Sequence, residues 1–240
     1  MKKYIYFLPL LFLFSVPAYA QLTNPDIQSS THLLRGGVSD ENGKNKSYNR
    51  SFTAPDGFVI VKSGSAVSSS GFYNNLESHN LNIASSKKLE ELVVKRRVSK
   101  SWSKDVVNTI LSKKAPNDLK LNFSVRGRVV LKGNATASLN LKLQLGNRHS
   151  GFIFKTAKYE FRPLKSDPSK VEIFDKNKVV VSTVHNGGEF NFSFKDHAFR
   201  TIIGEKEAIF TVSTAVETTL VSGMESYALL KTDSKYDLIK

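Results

Sequence analysis

There is no cysteine in this chain of 240 residues, which excludes disulfides, thiol nucleophiles and cysteine-ligated metals together. Acid is scarce as well. Asp and Glu number 21 against 35 Lys and Arg, for a formal net charge of +14. A field of that sign draws anions: phospholipid head groups, lipopolysaccharide, acidic glycans, nucleic acid. Tryptophan occurs once, at Trp102. The histidines (His32, His79, His149, His185 and His197) stand singly, without an HExxH or any pair at metal-ligand spacing, so neither a metal nor a cofactor is expected. No G-x-S-x-G elbow, phosphate loop or dinucleotide fingerprint is present. The two S-x-x-K matches, at Ser85 and Ser101, lack the companion motifs of a serine acyltransferase.

What is present begins with an export signal. Lys2 and Lys3 precede an apolar run from Tyr4 to Phe14, and Ala18-Tyr19-Ala20 is a small-x-small cleavage site. Residues 1–20 are therefore read as a signal peptide, and an exported chain without cysteine suggests a bacterial protein, periplasmic or secreted. Residues 21–54, poor in apolar groups and rich in Asn, Ser and Gly, are expected to form an extended or mobile polar leader that adds at most one short strand, around His32 to Leu34. A β-sandwich domain is expected over 55–240, opening at the Pro55-Asp56-Gly57 turn.

The dominant pattern lies between Leu119 and Leu145. Odd positions from Leu119 to Leu131, and again from Ala135 to Leu145, are almost all apolar, and those between are almost all polar or basic. That is the period of strands with one buried face. With Lys132-Gly133-Asn134 as a three-residue loop, Leu131 would oppose Ala135, and the two runs read as one long hairpin. Shorter alternating runs follow at 152–161, 171–174, 179–184, 190–194 and 208–221. One short amphipathic helix is expected from Lys104 to Lys114, capped by Ser103, with Val106, Val107, Ile110 and Leu111 on one stripe. The fold class is thus mainly β, an antiparallel sandwich of about ten strands with that helix.

The candidate site is electrostatic. The even face of the hairpin carries Lys120, Arg126, Arg128, Lys132 and Lys142 among amides and hydroxyls, with no acid. Such a face can satisfy sulfate, phosphate or carboxylate oxygens, Arg126 and Arg128 by bidentate contact. It lacks the aromatic rings on which nucleic-acid bases stack, so no specific nucleic-acid partner is expected. The reading is an exported, non-enzymatic protein that binds an anionic glycan, lipid head groups or an acidic protein. One alternative is a secreted β-pore-type toxin whose hairpin 119–145 inserts into membrane, since both arms reach the roughly 9–11 residues a spanning strand needs. The other is an envelope-polymer hydrolase, which would require Glu160, Glu172, Glu189 and Asp196 to converge.

Overall fold

The computed structural model describes residues 27–39, 45–53, 57–63, 66–72, 78–87, 99–111, 118–146, 151–200, 208–220 and 226–239. The expected signal peptide lies outside them. Among the described residues the protein is mainly β, with fourteen strands and no helix. The first seven are β1 (Ile27–Ser39), β2 (Asn45–Thr53), β3 (Gly57–Ser63), β4 (Ala66–Phe72), β5 (Ser78–Lys87), β6 (Ser99–Leu111) and β7 (Asp118–Lys132). Then come β8 (Ala135–Gly146), β9 (Gly151–Leu164), β10 (Asp167–Phe174), β11 (Val180–His185), β12 (Glu189–Arg200), β13 (Ala208–Leu220) and β14 (Ser226–Ile239). They form an eight-stranded antiparallel sheet in the order β11-β10-β9-β8-β13-β6-β1-β2 and a six-stranded one in the order β12-β7-β14-β5-β4-β3.

Three expectations are corrected here. The runs at 119–131 and 135–145 are strands, but they do not pair with each other. β7 lies between β12 and β14 in the smaller sheet, while β8 lies between β9 and β13 in the larger. At Gly133-Asn134, where Gly133 takes φ 64°, the chain crosses from one sheet to the other. Alternation dictates which face each side chain takes; it does not name the neighbouring strand. The crossing is held by Asn186, which stands beside β7 where another strand would. Its Oδ1 accepts from the Leu131 N–H at 2.8 Å, and its amide donates to the Leu131 carbonyl.

The expected helix is strand β6 as far as Leu111; residues 112–114 lie outside the described residues. Ser101, Ser103, Asp105 and Val107 point inward in strict alternation, against half-buried Trp102, Lys104, Val106 and Asn108. The β-branched Val106, Val107, Thr109 and Ile110 suit that pleated geometry. Asp105 faces inward because His32, far away in sequence, receives it. Third, residues 27–39 and 45–53, within the expected leader, are β1 and β2, and bring Leu34 and Tyr48 into the interior.

The interior between the sheets has two chemistries. Around β7 to β10 and β12 it is apolar: Phe123, Val125, Leu139, Leu141, Phe161 and Ile173 belong to one buried cluster, while β13 and β14 also bury Thr214, Thr218 and Thr232. The aromatic row of β12 joins it, with Phe190 buried and half-buried Phe192 and Phe194 packed against it. Where β1, β2, β4 and β6 meet, hydroxyls take over. Tyr48 Oη lies 2.7 Å from Ser103 Oγ and 3.0 Å from Ser70 Oγ, and Ser68 Oγ is 2.6 Å from Ser103 Oγ. The Tyr48–Ser70 and Ser68–Ser103 bonds join the two sheets, and each buried hydroxyl named here has a partner, as burial requires.

Candidate functional site

Because β7 and β8 belong to different sheets, the expected basic face is split. Arg126, Arg128 and Lys132 are on the outer side of the smaller sheet, and Lys142 is on the outer side of the larger. Lys120 lies on β7 at the register position opposite Ala198 of β12.

On the smaller sheet the neighbouring strands supply the acid that β7 lacks. Register sets Glu189 of β12 opposite Arg128, and Asp233 of β14 opposite Arg126. Arg126 donates through Nε and Nη2 to Asp233 Oδ2, at 3.1 and 3.0 Å. Arg128 donates through Nε to the Gly187 carbonyl at 2.6 Å, and so holds the turn after β11. Both arginines thus already have oxygen partners.

Lys142 sits in different company. One row across the larger sheet reads Asn49, Arg35, Lys104, Ala215, Asn140, Lys158, on six adjacent strands. The next reads Ser51, Leu33, Val106, Ser213, Lys142, Thr156. Neither row contains a carboxylate. Arg35, Lys142 and Lys158 are exposed and Lys104 is half-buried. At about 4.8 Å per strand, Arg35 and Lys158 stand about 19 Å apart, with Lys104 and Lys142 between them. Arg35, Lys104 and Lys158 carried no sequence signal of belonging together; only the strand order unites them. The basic residues Lys95, Arg96 and Arg97, which precede β6 in the sequence, lie outside the described residues.

The acid on this sheet is gathered elsewhere. Lys100 Nζ lies 2.7 Å from Glu217 Oε2. Glu160 accepts from Arg162 Nη2 at 2.6 Å and from Lys178 Nζ. Lys178 is brought there by the β10–β11 turn, in which Asp175 Oδ1 accepts from the N–H groups of Asn177 and Val179 and Lys178 takes φ 64°. Burial pushes the Glu160 carboxyl up, but the hydrogen bonds and charges of Lys178 and Arg162 together hold it below the ordinary range. A lowered folded-state pKa favours folding above the unfolded value, and that contribution is lost as pH falls through the acid range. Glu160→Gln should therefore melt below the wild type at about pH 6, with the gap closing towards about pH 3. A gap that stays constant in thermal melts would mean that these bonds do not couple to folding. Asp167, partly exposed, is held at about 2 by hydrogen bonds from Ser169 and then Lys170, and titrates in the same window.

Among the described residues no carboxylates converge as a hydrolytic site would need. Glu160 and Glu172 are on the outer side of the larger sheet and Glu189 is on that of the smaller. The side chain of Asp196 lies outside the described residues. The one carboxylate–histidine pair described is interior. His32 Nδ1 donates to Asp105 Oδ2 at 2.9 Å, with both side chains 1% exposed or less, so no substrate reaches them. Likewise, no group of His, Asp and Glu among the described residues could hold a metal ion.

A cleft opens at the crossing itself. It has a volume of about 1220 Å³ and is bounded by residues 130–136 of β7 and β8, the β9–β10 turn, Asn186 and the start of β14. Of the expected anion-binding residues whose side chains are described, only Lys132 lines it. No protein-family model matches this chain, and no curated protein matches it.

Proposed function

We propose that this chain is an exported, non-enzymatic antiparallel β-sandwich that binds an anionic glycan, an anionic lipid surface or an acidic protein, and that it does so on the outer face of its larger sheet. The observation that carries the reading is the pair of acid-free rows holding Arg35, Lys104, Lys142 and Lys158. A flat face with cations at strand spacing, amides at Asn49 and Asn140 and hydroxyls at Ser51 and Thr156 suits an extended polyanion crossing the strands, with charge-assisted bonds to its oxygens. Export rests on the charged and apolar segments ahead of Ala20, and places the protein in the periplasm or outside the cell, where such polymers are abundant. Insertion of 119–145 as one hairpin is disfavoured, because each arm has two strand neighbours in its own sheet and both apolar faces share one core.

Chromatography on immobilised heparin tests the proposal. The wild type should be retained at low ionic strength and released as salt screens the face. K142E/K158E should weaken binding about tenfold, as expected for two exposed charge contacts, while R126E/R128E should have a smaller effect. Absence of retention at low salt, or equal effects of the two double variants, would remove the larger sheet from consideration.

A further inference from the structure

On β2, β1 and β6 the outer face of the larger sheet carries a patch unlike the cationic rows beside it. Register sets Ser47, Gly37 and Trp102 in one row and Asn45, Ser39 and Lys100 in the next. Ser39, Asn45, Ser47, Lys100 and Trp102 line one small pocket of about 200 Å³. Trp102, the chain's only tryptophan, is half-buried here rather than in the core. Its ring lies against Gly37. A Cβ on that residue would stand 2.9 Å from Trp102 Nε1 and equally close to the Lys46 carbonyl, so the indole has this position because the residue beneath it is glycine. The strand under the ring is fixed from the other sheet's side: Ser68 Oγ donates to the Trp102 carbonyl, and Ser103 Oγ donates to the Ser69 carbonyl at 2.9 Å.

Charge is balanced at this end. Trp102 is opposite Glu217 of β13 in register, and Glu217 Oε2 lies 2.7 Å from Lys100 Nζ. Two residues along the same strands, about 7 Å away, come Arg35 and Lys104 of the acid-free row. The patch therefore offers an aromatic ring, an amide, hydroxyls and an ion pair, and the cations begin beside it.

We propose, resting on the flat-face reading above, that the anionic ligand of this sheet is an acidic polysaccharide. One of its sugar rings stacks on Trp102, while sulfate or carboxylate groups further along meet Arg35, Lys104 and the lysines beyond. A sugar ring has an apolar C–H face and a rim of hydroxyls. The indole suits the first, and Ser39, Asn45, Ser47 and the Lys100–Glu217 pair suit the second. The pocket is smaller than the roughly 300–1,000 Å³ of a small-molecule site, which fits one ring of a polymer rather than a whole free ligand. A lipid surface would use the cations alone and leave the indole without a role. Single-stranded nucleic acid stacks successive bases on several rings, and these two rows supply one.

Because Trp102 is the only tryptophan, its fluorescence reads the pocket without a label. The full mature chain is titrated with a short heparin oligosaccharide, with inorganic polyphosphate and with a single-stranded DNA oligonucleotide. The heparin oligosaccharide should shield Trp102 from acrylamide quenching, whereas polyphosphate should bind the cations without shielding it and DNA should not shield it. Trp102→Ala should weaken the oligosaccharide about tenfold and N45A/S47A about threefold, both with polyphosphate affinity unchanged, and Trp102→Phe should retain most of the affinity. K142E/K158E should weaken both polyanions. Circular dichroism and melting of each variant exclude loss of fold as the cause. Oligosaccharide bound without shielding, equal weakening of both polyanions by Trp102→Ala, or equal shielding by DNA would overturn the proposal and leave the cationic face standing. Binding of neither polyanion would remove both readings.

Discussion

Asp105→Ala should cost about 3–5 kcal/mol of folding stability, seen as a lower urea midpoint with an unchanged slope. The carboxylate is fully buried and accepts from His32 Nδ1 at 2.9 Å, so truncation removes the partner of an imidazole that is itself 1% exposed. The penalty arises less from the lost bond than from the polar group left behind in the interior. A second variant separates those terms. In H32L/D105L both polar groups are gone and similar volume is filled, so most of the loss should be recovered. A single-variant loss below about 1 kcal/mol would mean that His32 finds equal solvation elsewhere, and a double variant as unstable as the single would mean that the hydroxyl network depends on the pair.

Phe161→Ala should be of comparable size, about 3–5 kcal/mol, for a different reason. Phe161 is fully buried on β9, between Ala137 of β8 and Ile173 of β10 in register, and its ring lies 4.9 Å from that of Phe190 on the opposite sheet. Its removal opens a cavity between the sheets that neighbouring strands can close only in part. Phe161→Leu should recover more than half of the loss, since it restores most of the apolar volume. Equal destabilisation by Ala and Leu would point to the aromatic contact with Phe190 rather than to volume. An exposed position on the same sheet, such as Val180 at 44% exposure, is the control, and Val180→Ala should change stability by no more than about 0.5 kcal/mol.

The sequence alone determined the strand character of 118–146, the inward row of Phe123, Val125, Leu139, Leu141 and Leu143, the β10–β11 hairpin and the aromatic face of β12. In each of these, apolar and polar residues alternate with period two, and the physics that reads the pattern is local. The β6 strand was hidden because its inward residues are Ser101, Ser103 and Asp105. A hydropathy pattern sees no buried face there, whereas Val106, Val107, Ile110 and Leu111 happen also to satisfy a helical stripe. Ser103 can be buried because Ser68 and Tyr48 come to meet it, Ser101 because the Val67 carbonyl accepts from it, and the carboxylate because His32 donates to it. Strand order was hidden for a related reason. Alternation is the same whether β7 and β8 lie side by side or face each other across the core. Only the tertiary structure decided that they face each other. It thereby set Asp233 and Glu189 beside the arginines of β7, aligned Lys142 with Arg35, Lys104 and Lys158, and opened the cleft at Lys132. Charge composition is written in the chain, but a binding surface is a matter of which strands become neighbours, and that is fixed by long-range pairing.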